Sequence, residues 1–449
     1  MRVTDMTHGR PIRLILLFSL PLMLGSVFQQ LYTIVDTIII GRGVGMQALA
    51  SIGAADWINW LVLWGLQGFT QGFAILAAQE FGAGAYDRLR RVLAMIVKLS
   101  CWFGIAVTII SLVLVRPLLT LLHTDPAVFG GAQTYLYVQF GGSLIIIAYN
   151  MAAAVLRCLG DSRTPLLAII AASFANIALD LLFVMGFGWG IFGASFATVL
   201  AQLIAFLLCL RSLRRLPFVQ LTKADWKTDP AILLHLCRLG IPTGLQMSMI
   251  TLGGMVLQSV LNGFGVVFVA GYTAANKLYG ILESASVAFG YAMTAYMGQN
   301  LGARNAARID AGIRAVLVLS AEFTAAIVTA MLVAGKPLLG LFLSTEEAGA
   351  ADALAVAYQY LMVLMAFLFA LFMLQAYRSS LQGLGEMTVP TLSGFAEMLM
   401  RMGAALVLPT FIGQSGVFFA EGAAWVCAAA LNLVWYYMRI GKIKRDMLK

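Results

Sequence analysis

The sequence predicts an all-α polytopic membrane protein with twelve transmembrane helices in two pseudo-symmetric six-helix lobes. Three observations carry that prediction. The 449 residues are 61% hydrophobic and only 11% charged, with a mean hydropathy of +0.90, whereas soluble domains carry about 25% charged residues. Apolar runs long enough to cross a bilayer recur along the whole chain, which leaves no stretch for a large soluble domain. The second half also repeats short patterns of the first at a nearly constant offset.

The apolar runs fall near 12–40, 50–79, 92–115, 133–156, 165–187, 191–210, 235–261, 266–297, 313–334, 354–377, 388–412 and 416–438. The first run is too long for a cleaved signal and is expected to stay as the first span. An even number of spans puts both termini on one side. Loops on that side, from Arg2 through Arg378 to Lys449, hold 22 Lys and Arg, against Arg42, Arg116 and Lys336 on the other. Both termini are therefore expected in the cytoplasm, in a bacterial inner membrane. The net charge of +9 has the same origin and does not call for nucleic acid as a partner. The five cysteines lie in or beside apolar runs without ligand-like spacing, as packing residues with free thiols.

The most hydrophilic interruption begins at Arg211 and divides the chain into a lobe over 1–210, a cytoplasmic linker over 211–232 and a lobe over 233–449. Arg116-Pro-Leu-Leu recurs as Lys336-Pro-Leu-Leu, and Gln79-Glu-Phe-Gly-Ala as Gln299-Asn-Leu-Gly-Ala. Leu156 to Pro165 recurs as Leu381 to Pro390, and Leu20-Pro21 as Ile241-Pro242. Six spans per repeat give both copies the same orientation, related by an axis along the membrane normal, an arrangement common in transporters.

Polar groups inside the runs point to a site. Asp36 costs roughly 2.5–3.5 kcal/mol to insert and by default marks an ion or substrate path. Gln29, Thr33 and Asp36 share one helical face. In the fifth span, Asn176 and Asp180 are one turn apart, so their oxygens can converge on one ion. Asn150 and Thr198 have two readings, as further oxygens or as hydrogen-bond links between helices. Carboxylates with amide and hydroxyl oxygens suit Na⁺, and a close carboxylate pair equally suits H⁺. In the second lobe, Arg401 and Ala405 stand where Asn176 and Asp180 would be. Its charges are Lys277, Glu283, Glu322, Glu397, Arg401 and Glu421, of which Glu397 and Arg401 are spaced to pair on one helix. Glu283 is a candidate for binding a cationic substrate, with Tyr32, Tyr149 and Tyr279 among aromatic residues able to line a cleft. Pro21 and Pro242 predict bends in the first and seventh spans.

These residues resemble the multidrug and toxic compound extrusion (MATE) family over nearly the whole chain. The likeness is carried by Pro21, Gln29-Gln30 and Val35-Asp36-Thr37, by Gln79-Glu-Phe-Gly-Ala, by Leu159-Gly-Asp-Ser-Arg-Thr-Pro165, and by Asn176-Ile-Ala-Leu-Asp180. It implies the MATE-like fold and export of organic, mostly cationic, drug-like compounds in exchange for H⁺ or Na⁺ by alternating access. It also implies a first-lobe cation site at Asp36, Asn176, Asp180 and Thr198, with Asn150 near it, and no cofactor besides the coupling ion. Another branch of the family carries acids in spans seven and ten. Here span seven offers Gln246 and Gln258 and span ten has none, so Glu283 looks more like the staphylococcal-type exporters. A monomer in contact with membrane lipids is expected.

Two other functions compete. A lipid-linked oligosaccharide flippase of the same superfamily would need several deep arginines, whereas the deep basic residues read from sequence are Lys98, Lys277 and Arg401. A membrane-embedded enzyme would need a catalytic constellation, and His8, His123 and His235 lack metal-ligand spacing.

Overall fold

The computed structural model describes residues 3–342 and 349–448, and among the described residues there are thirteen α-helices and no strand. The first half contains α1 (Pro11–Gly43), α2 (Met46–Gly82), α3 (Tyr86–Leu121), α4 (Pro126–Gly141), α5 (Ser143–Cys158), α6 (Arg163–Asp180) and α7 (Gly190–Arg214). The second contains α8 (Pro230–Asn262), α9 (Val266–Gly302), α10 (Ala306–Gly340), α11 (Ala350–Gly383), α12 (Thr388–Ile412) and α13 (Phe419–Leu448).

Ten of the described helices are long and apolar enough to cross a membrane, and the bent pair α4 and α5 adds an eleventh span. With α9, which covers the run at 266–297, the twelve runs of the sequence each have a helix or a helix pair. The chain is an integral membrane protein. One span differs from expectation: the run at 133–156 is broken at Gly142, where the two helices meet at 50°. A Cβ on Gly142 would sit 2.5 Å from Val199 of α7, so the close approach there requires glycine.

Contacts divide the chain into two compact units. One comprises Met1–Asp5 and Leu20–Ser248, the other Met6–Ser19 and Met249–Lys449. Both divisions fall inside long helices, α1 and α8. The first part of α8 packs in the first unit, where a Cβ on Gly72 would lie 2.6 Å from Gly240 Cα. In the second unit, Met6 is fully buried and its N–H donates to Gln299 Oε1 at 2.8 Å. Arg308 there donates to the Met6 and Gly9 carbonyls, both at 2.8 Å.

Within the first unit, Ile39 and Ile40 of α1 cluster with Ala48 of α2, Val184 and Ala194, with Val35, Ile52 and Ile177 packed around them. This cluster ties the later part of α1 to α2 and α6. A second core joins Ala55 and Ile58 of α2 to Val115 and Leu119 of α3 and Leu136 and Phe140 of α4.

Two basic residues have a different environment from the one sequence reading gave them. Arg378, counted among the loop charges, lies in α11 and is buried, 3% exposed; the remaining charges counted for loops, many of them in helix ends, keep the same bias. Lys98 is no deep charge: its Nζ donates to the Trp226 carbonyl at 2.6 Å and to Thr228 Oγ1 at 2.8 Å, which clamps the linker onto α3. In that linker, burial works against the Asp225 carboxylate. The Thr222 backbone N–H and hydroxyl, both 2.7 Å away, and the charges of Arg90 and Arg91 outweigh it and hold its pKa below the ordinary 3.8. Arg2 and Lys449, two of the counted basic residues, lie outside the described residues.

Candidate functional site: a polar pocket in the first unit

The loop Leu159-Gly-Asp-Ser-Arg-Thr-Pro165 sets the start of α6. Asp161 Oδ1 accepts from the N–H groups of Arg163 and Thr164, both at 3.0 Å, satisfying donors that the first helical turn leaves open. From that anchor α6 runs to Asn176 and Asp180, one turn apart. A π-helical segment, Leu181–Gly186, follows directly. Such segments are rare and often mark functional positions, because they shift side chains out of the α-helical register.

Asp180 is fully buried and Asn176 is 1% exposed. Among the described residues, both oxygens of Asp180, Oδ1 of Asp36, and the amide oxygen and nitrogen of Asn176 have no hydrogen-bond partner outside the carboxyl pair itself. The Asp36 and Asp180 carboxyls instead adjoin each other across α1 and α6. Two facing carboxylates repel, and neither has a basic partner. A bound cation or a shared proton would resolve both problems at once.

Beside this pair lies a small, partly open pocket of about 40 Å³, lined by Gln29 and Tyr32 of α1, Tyr149 of α5, Ser173 and Asn176 of α6, and Thr198 and Gln202 of α7. Thr198 donates to the Ala194 carbonyl of its own helix at 3.2 Å, which leaves its oxygen free to accept or to coordinate. Thr33 likewise back-bonds to Gln29 at 2.9 Å. Among the described residues no group of three or more His, Cys, Asp or Glu side chains has the geometry of a metal cluster, so any metal here would be held with amide and hydroxyl oxygens.

A family model described as MatE matches residues 21–182 and again 242–407. The chain belongs to the MATE family. The two matches begin at Pro21 and Pro242, in step with the internal repeat. The chain is similar to "Probable multidrug resistance protein YpnP" of Bacillus subtilis, at 32% identity over 99% of this chain and 98% of that one. It is similar also to "Multidrug export protein MepA" of Staphylococcus saprophyticus, at 22% over 94% and 93%. Among solved structures, a MATE protein in complex with MaL6 superposes with a TM-score of 0.91 at 24% identity, covering 99% of this chain and 100% of that one. A MOP superfamily transporter from Pyrococcus furiosus gives 0.91 at 24%, covering 99% of each. These likenesses establish the MATE fold.

In this MATE protein, Asp36, Asn176, Asp180, Thr198, Gln29, Tyr32 and Tyr149 all belong to the first unit's pocket or adjoin it. Asn150 does not line the cavity; its Nδ2 donates to Ile146 of its own helix at 2.9 Å. Glu283 and Tyr279 sit in the second unit, where Tyr279 stacks on Trp425 with ring centroids 5.5 Å apart. There, Glu397 accepts from Arg378 at 2.5 Å and from Arg401 at 3.1 Å, and Arg401 also pairs with Glu421 at 2.8 Å. Arg401 Nη1 further donates to the Ile250 carbonyl at 3.0 Å. The expected Glu397–Arg401 pair is thus the middle of a four-residue chain with no net charge. Glu283 adjoins it, next to Tyr279 and under the influence of Glu421. Pro21 lies within α1, which continues through it as one helix.

Sequence reading missed Asp56 of α2. It interacts with Asp36, and both act on Tyr135 of α4. The rule that singled out Asp36, an acid in an apolar run, applies equally to the second run.

Proposed function

We propose that this chain is a secondary active multidrug efflux transporter that exports organic, mostly cationic, compounds in exchange for H⁺ or Na⁺. One observation carries the reading: a fully buried Asp180, with no hydrogen-bond partner among the described residues outside the carboxyl pair, facing Asp36. Such an arrangement is costly empty and is relieved by a small cation, so occupancy can be coupled to a change of conformation. Asn176 and Thr198 supply the remaining oxygens, and the cavity with Gln29, Tyr32 and Tyr149 receives the organic compound. Glu283, beside Tyr279, offers a second attraction for a positive substrate. The names of the relatives, multidrug resistance and export proteins, agree with this reading. The loop charge bias orients both termini to the cytoplasm of a bacterial inner membrane, and Pro21 offers a bend in the helix that carries Asp36. The flippase alternative is weakened because both buried arginines, Arg378 and Arg401, are already paired with glutamates.

Purified protein in liposomes, given a Na⁺ gradient and a pH gradient separately, tests the proposal. One of the two gradients should drive ethidium against its own concentration difference. Ethidium movement that ignores both would overturn it.

A further inference from the structure

The first unit holds a third acid, Asp56 of α2, within electrostatic reach of Asp36, where the coupling reading above uses two. Asp56 is placed there by the packing of α2. Ile52 packs on the cluster that contains Val35 and Ile39 of α1 and Ile177 of α6. Asp56 is one turn further along the same face of α2, which directs it toward Asp36. On the next turn stands Asn59, 4% exposed, whose Nδ2 donates to Tyr135 Oη at 3.3 Å while its Oδ1 receives no hydrogen bond. The charged group acting on Asp56 is Asp36, another acid. Neither α2 nor α4 contains a Lys or Arg. Three acids, with unsatisfied amides at Asn59 and Asn176 and with basic residues on α1 and α6 only at the helix ends (Arg13, Arg42 and Arg163), exceed what one monovalent cation can neutralise.

We propose that Asp56 is a third cation-accepting carboxyl of the first unit, so that the pocket takes up two monovalent cations in each cycle. Asp36 and Asp180 hold one, and Asp56, with Asn59 and the Tyr135 hydroxyl, holds the second. The inference rests on the coupled-transport reading and fixes its stoichiometry. Exchange of one cation for one ethidium moves no net charge, whereas exchange of two moves one.

The test is voltage. In liposomes containing the wild-type protein, a potassium diffusion potential of about 100 mV, with no Na⁺ or pH gradient, should shift the steady-state ethidium ratio by about 50-fold per net charge moved, relative to protein-free vesicles. Asp56→Asn should slow gradient-driven transport and leave its remaining flux insensitive to the potential, and Asp56→Glu should keep the voltage response. Wild-type transport that follows an imposed ion gradient yet ignores the potential would overturn the inference while leaving coupled transport intact. So would an Asp56→Asn protein whose flux still responds to voltage. Absence of any gradient-driven transport in the wild type would instead overturn the coupled-transport reading. If Asp56→Asn fails to fold or carries no flux, the wild-type response decides alone.

Discussion

The two units treat one repeated position in opposite ways. In the first, α6 presents Asn176 and Asp180, whose buried polar side-chain atoms have no hydrogen-bond partner among the described residues outside the carboxyl pair. In the second, the matching place on α12 holds Arg401, engaged by Glu397, Glu421 and the Ile250 carbonyl. Both arrangements bury charge in an apolar setting, but only in the second does every charged group meet an opposite charge, although Nε of Arg378 and of Arg401 has no partner among the described residues. Unpaired acids read as a place for a cation; a charge-paired chain reads as a fixed joint among α8, α11, α12 and α13. Duplication therefore preserved the scaffold while the chemistry of the two copies diverged.

The largest difference should appear in transport and stability measured together. Asp180→Asn is expected to reduce ethidium transport to the protein-free level, yet to unfold at the same or a higher temperature in detergent, because it removes a buried charge that has no partner. A clear loss of thermal stability would mean that Asp180 serves the fold, and the contrast between units would collapse.

Arg401→Ala should behave in the opposite manner. It leaves Glu397 with one guanidinium and Glu421 with none, so stability should fall by about 3–5 kcal/mol. Combining Arg401→Ala with Glu421→Gln should recover part of that loss in a double-mutant cycle. Additive losses would show that Arg401 and Glu421 do not act as a pair.

The smallest effect concerns a charge outside the spans. Because its folded-state pKa is held below 3.8, Asp225 contributes its full stabilisation of the linker above that ordinary value, and the contribution disappears as pH falls through the depressed one. Proteolysis at the linker should therefore accelerate at acid pH in the wild type. Asp225→Asn should be cut faster at neutral pH and show less change on acidification. Equal pH profiles would remove Asp225 from the account.

What could be read from sequence followed from signals that are local and additive. Twelve apolar runs mark the spans, and acids within them mark the site, because hydrophobic length and buried charge are costs that no tertiary context removes. Asp36, Asn176 and Asp180 were legible on that basis, and Asp56 carried the same signal without being singled out. Pairing was harder. Arg378 lies so near the end of its apolar run that sequence placed it in a loop, and only its meeting with Glu397, nineteen positions away, reveals a buried role. Asn150 illustrates the reverse: its amide turns back to its own helix, a choice that depends on the rotamer rather than the residue type. The bend at Gly142 had a local cue in Gly141-Gly142, whereas the π-helical segment after Asp180 had none.

The exchange of helix segments between the units has a consequence for biosynthesis. The first unit is not complete until Ser248 has been made, well beyond the linker. The opening segment from Met6 to Ser19 waits longer still, since Met6 meets Gln299 across 293 positions of sequence. Contacts of such long range form late and slowly. A ribosome reading this message must release the first half unfinished, its N-terminal segment held in reserve, until the second half arrives to receive it.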